Sequence, residues 1–150
     1  MIRIAALAAL FLGAPVALAE DGPAILKDHQ RCALQGRSSA VCAEVLTGHC
    51  LDTAQNIRQL TRCRAGLARA LDRKAQDLAA QFATSTPHRR TRATEILAGS
   101  DRVVADYCAS FGGRMATEGS AGHNIRCALM AGHVKVYHLL RLAHGSEGDI

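Results

Sequence analysis

The chain has no tryptophan, and its 150 residues include only five aromatics (two Tyr and three Phe) and three prolines. So few aromatics cannot form a platform on which nucleobases stack, and nucleic acid is not expected as a partner. Neither C-x-x-C nor H-E-x-x-H occurs, which removes the common zinc frameworks, and without C-x-x-C-H there is no attachment point for haem. G-x-S-x-G is missing, and the acidic side chains never cluster, so a nucleophile elbow and paired-carboxylate chemistry both lack residues. Beyond residue 19 no segment approaches the roughly 18 to 20 apolar residues of a transmembrane helix. The expectation is a protein that is neither an enzyme nor membrane-spanning. No catalytic, cofactor or metal-binding residue is assigned.

The N-terminus does carry an address. Residues 1–19 read as a secretory signal peptide, with Arg3 as the positive n-region and a short apolar stretch over 4–12. Ala17-Leu18-Ala19 fits the small-x-small pattern, which places cleavage between Ala19 and Glu20. The mature chain would be periplasmic or secreted. It would carry 17 basic and 13 acidic side chains once Arg3 is gone from the total of 18 and 13. All six cysteines (Cys32, Cys42, Cys50, Cys63, Cys108 and Cys127) lie in that part, and an even count in an oxidising compartment favours three disulfides.

Helical periodicity dominates the mature chain. Short helices are expected up to about Gly36 and, capped by Ser38-Ser39, from about 40 to 47, with Gly48 as the stop. Residues 52–84 read as one long helix with Leu60, Leu67, Leu71, Leu78 and Phe82 on a single stripe. After the Thr84-Ser85-Thr86-Pro87 break, a second helix runs over 90–111 with Ile96, Leu97, Val103, Val104, Tyr107 and Phe111 inward. A glycine-rich loop to Gly122 precedes a last helix ending near 143, which buries Ile125, Leu129, Val136, Leu139 and Leu140. The expected fold is all-α: a disulfide-stapled bundle built on a long antiparallel helical hairpin, plus a C-terminal helix and two short N-terminal ones. Residues 20–48 would form a short hairpin, 49–144 the main helical domain and 145–150 a tail.

Cysteines equidistant from a helix turn sit level, so Cys32 is paired with Cys42 about Arg37, and Cys63 with Cys108 about Ser85-Thr86. Cys63 lies roughly 15 Å along a helix that starts just after Cys50, out of reach, which leaves Cys50 with Cys127. The rival set joins Cys32 to Cys63 and Cys42 to Cys50.

From Cys50 to Leu142 the chain resembles the LprI-like lysozyme-inhibitor family of small exported bacterial proteins. The resemblance rests on Cys50 and Cys63, Arg69-Ala70-Leu71-Asp72, Cys108, Gly112-Gly113 and Cys127-Ala128-Leu129. It implies a helical binding protein that occludes a muramidase, or another envelope protein, without chemistry of its own.

Two surfaces are candidates for binding. One is the loop with Arg114, Met115, Thr117 and Glu118, where Glu118 alone could meet a cationic protein. The other is the arginine side of the long helix, Arg58, Arg62, Arg69 and Arg73 with Lys74, continued by His88-Arg89-Arg90 and Arg92. It suits an anionic envelope component. Of the seven histidines, His29, His49, His88, His123 and His144 are read as surface residues at helix ends and loops, while His133 and His138, five apart on the last helix, lie too far around it to chelate.

Overall fold

Apolar residues recurring every three or four positions, with few helix breakers between them, make helices of nearly everything described. The structure is a computed structural model and describes residues 21–111 and 119–145. The leader, its Ala19–Glu20 junction and the loop residues Arg114, Met115, Thr117 and Glu118 lie outside the described residues. Among the described residues there are five α-helices and no strand: α1 (Asp21–Leu34), α2 (Ser39–Thr53), α3 (Ile57–Phe82), α4 (Pro87–Phe111) and α5 (Gly119–Ala143). With three disulfides, this is an all-α, disulfide-stapled bundle.

Local chemistry sets the junctions. Gly36, at a φ of 74°, takes the left-handed conformation after α1 and donates its N–H to the Ala33 carbonyl at 3.2 Å. Ser38 caps α2, its Oγ accepting from the Val41 N–H. Gly48 does not stop α2, which continues through Cys50 to Thr53. The break falls at Ala54–Asn56 instead, where Asn56 caps α3 by accepting from the Gln59 N–H at 3.0 Å. Gln59 in turn accepts from the Gln55 N–H at 2.7 Å, close to a capping box. Pro87 opens α4, where its missing N–H costs nothing.

That break corrects the disulfides. The pairs are Cys32–Cys42, Cys50–Cys63 and Cys108–Cys127. Cys32–Cys42 is the pair that the spacing indicates. Cys63–Cys108 and Cys50–Cys127 are not formed, and neither is the twin-cysteine set. Because the chain turns back after Thr53, Cys63 on the second turn of α3 comes level with Cys50 near the end of α2, with Cα atoms 5.6 Å apart. Cys108 and Cys127 likewise flank the 112–118 connection. Cys32–Cys42 and Cys50–Cys63 each straddle the break between two successive helices; what fails is a single helix over 52–84.

Packing centres on α5, which lies chiefly against α3 and next against α4, while α1 pairs with α2. Arg89 reaches the Leu142 carbonyl, Lys135 pairs with Asp101, and Cys127 joins Cys108, so α4 and α5 run antiparallel. The core is Leu67, Leu71, Leu78 and Phe82 of α3 against Leu129, Val136, Leu139 and Leu140 of α5, with Ala93 and Ile96 of α4 at one side. Gly132 is where α3 and α5 come closest: a Cβ there would lie 2.8 Å from the Leu71 Cβ and 3.5 Å from the Ala68 carbonyl. Two residues expected inside are outside, Val103 at 63% and Tyr107 at 51% exposure. The buried line of α4 runs Ala93, Ile96, Ser100 and Val104, and Val103 and Tyr107 lie off it.

Candidate functional site

Helical geometry gathers Arg58, Arg62, Arg69 and Arg73 into one row. At 3.6 residues per turn their directions fall within about 60° of one another, and they span roughly 22 Å of the helix. All four are exposed, as the amphipathic pattern of α3 requires, since Leu67, Leu71, Ala75 and Leu78 hold the opposite side in the core. Among the described residues, no acidic side chain lies within ion-pair distance of any of the four. Asp72, the acid nearest in sequence, instead accepts from the Gln76 amide at 2.9 Å.

Other basic residues expected to extend this row do not. Arg89 donates to the Leu142 carbonyl, Arg90 to the Ser85 carbonyl, and Arg92 pairs with Glu95 at 3.2 Å. They tie down the start of α4 and the end of α5. Lys74 is half-buried and points well away from the arginines, toward α1. The row is therefore four residues long.

A second constellation was not foreseen. His29, expected at the surface, is buried at 0% exposure, and His133 of the last helix at 1%. His29 Nε2 lies 2.7 Å from His133 Nδ1, and His133 Nε2 lies 2.9 Å from the Ser39 hydroxyl. The line joins α1, α5 and the first turn of α2. Tyr137, one turn on from His133, adds a 2.8 Å hydrogen bond from its hydroxyl to the Arg37 carbonyl. The sequence signal was there: Ile25, His29, Cys32 and Ala33 form the buried stripe of α1, and Leu129, His133, Val136 and Leu140 that of α5.

Burial pushes His29 down to about 4. Burial also brings His133 down to about 4; the charge of His29 and a smaller push from His138 add to it, and the Ser39 backbone opposes it. Both rings are neutral at neutral pH, so each carries one N–H. The protons can all point from Ser39 toward His29, or all the other way. In either direction His29 Nδ1 is left over, buried and with no hydrogen-bond partner. Serine, imidazole and imidazole in line resemble a nucleophile with its base, but a base near 4 takes a proton poorly at neutral pH. The line serves to clasp the α1–α2 hairpin onto α5.

No family model, curated protein or solved structure matches the chain.

Proposed function

We propose that this chain is an exported, non-catalytic binding protein whose α3 arginine row engages a linear anionic polymer of the cell envelope. The observation that carries this reading is the row itself: four exposed arginines on one line with no ion pair among the described residues. Arg58–Arg62 and Arg69–Arg73 are like-charged pairs one turn apart, each costing about 0.2 to 0.5 kcal/mol in an isolated helix. An anion along the row removes that repulsion. The residues interleaved within the row, Ala65 and Asp72, offer nothing to bury in hydrocarbon, which favours a polymer over a lipid surface. Three disulfides fit an oxidising compartment and the signal peptide read at the N-terminus.

Occlusion of a muramidase, implied by the LprI-like resemblance, is the alternative. The row counts against it for any cationic muramidase, which it would repel. Titration with poly-L-glutamate tests the proposal, with anionic vesicles and a lysozyme turbidity assay run in parallel. Neutralising four charges predicts an affinity loss on the order of 50-fold between about 50 and 200 mM salt. Salt-independent binding, or inhibition of lysozyme with no binding of the polyanion, would contradict it.

A further inference from the structure

A cleft of about 240 Å³ lies between α1, α3 and α5, walled by Leu26, Lys27, His29, Gln30, Lys74 and Val136. It lies apart from the arginine row and shares none of its residues. Its wall includes the one ring of the histidine line that ends in an unused polar atom. His29 is fully buried and its Nε2 is taken by His133, while Nδ1, which points away from that bond, has no partner. Leaving a buried polar atom without a partner is unfavourable, and a ligand group that reaches it from the cleft recovers much of that loss.

We propose that this cleft binds a small monocarboxylate with a short apolar tail. The two lysines settle the sign of the ligand. Lys27 and Lys74 are both residues of the wall and bring two positive charges to it, so the group meeting Nδ1 is an acceptor and an anion. That choice orders every proton in the line. The Ser39 hydroxyl donates to His133 Nε2, His133 Nδ1–H donates to His29 Nε2, and His29 Nδ1–H donates to the carboxylate. No member is then unsatisfied, and no ring needs a second proton. Gln30 offers a further amide donor, and Leu26 and Val136 line the apolar part. The volume lies below the roughly 300 to 1,000 Å³ of drug-sized sites, so the tail is a few carbons long.

Sodium hexanoate is the probe, titrated into the intact disulfide-bonded protein by calorimetry, with acetate, hexanol and inorganic phosphate as comparisons. Saturable binding is expected, and ring-nitrogen NMR at neutral pH should show His29 Nδ1 becoming the protonated nitrogen. Lys74→Gln lies on the cleft wall, leaves the buried pair in place, and should weaken hexanoate about tenfold, a loss of about 1.4 kcal/mol. Arg62→Glu with Arg69→Glu should leave hexanoate binding unchanged, which separates this site from the arginine row. No saturable binding up to about 10 mM, the weak end of specific affinity, would overturn the proposal. So would full affinity in Lys74→Gln, or phosphate binding as tightly as hexanoate.

Discussion

Single residues show how much position outweighs residue type. His29 and His133 sit on buried stripes that only apolar side chains usually occupy, and their partners lie 104 and 94 residues away, so no local pattern could pair them. Burial holds both near 4 against an ordinary value of 6.5. The unfolded chain therefore binds these protons more readily than the folded one between pH 6.5 and 4. Stability should be fully present above about pH 6.5 and fall as pH drops toward 4, by about 3 kcal/mol per histidine. Urea midpoints measured across that range check this, and a His29→Leu, His133→Leu double variant should flatten the dependence. Gly132 gives a second prediction. Its missing Cβ lets α3 and α5 meet, so Gly132→Ala should destabilise by about 1 to 3 kcal/mol despite the better helix former. Gly66 has open space at the same test, so Gly66→Ala should stabilise by up to about 1 kcal/mol. Thermal melts of the two variants should move in opposite directions.

Helices were legible where caps and breakers are loud. Gly36, Ser38, Pro87 and Gly145 all mark ends close to where the sequence places them. The break at Ala54–Asn56 has no proline or glycine, only Asn56 followed three residues later by Gln59, and that quieter pattern is the N-terminal signature of α3. Without it, two disulfides pair the wrong way round. Gly48 misled in the opposite sense, because α2 tolerates it in open space and runs on to hold Cys50. Peptide mapping without reduction should find Cys50 linked to Cys63 and Cys108 linked to Cys127. A Cys63–Cys108 peptide would contradict the α2–α3 corner. The arginine row was legible from spacing alone, because exposure on an amphipathic helix follows from the buried face opposite. Its apparent continuation through Arg89, Arg90 and Arg92 was not, since only the folded chain shows those guanidinium groups engaged with backbone and Glu95.

At the scale of the whole molecule, the five described helices share one core, and the disulfides join cysteines only 10, 13 and 19 residues apart in sequence. Each such closure is worth about 3 kcal/mol, so reduction should lower the melting temperature by more than about 20 °C. Cys50–Cys63 anchors the first turns of α3 and its buried face packs on α5, so the backbone beneath the arginines loses little ordering entropy on binding. Arg62 and Arg69 are exposed and hold no ion pair among the described residues, so charge reversal at these two positions should act on binding without disturbing the fold. The direct test is a calorimetric titration of poly-L-glutamate at about 50 mM salt, where screening is weak, into the native protein and into an Arg62→Glu, Arg69→Glu variant of unchanged melting temperature. A loss of at least about 100-fold in the variant, tenfold per arginine, is the predicted result. Equal affinity in the two proteins would contradict the arginine row as the binding surface.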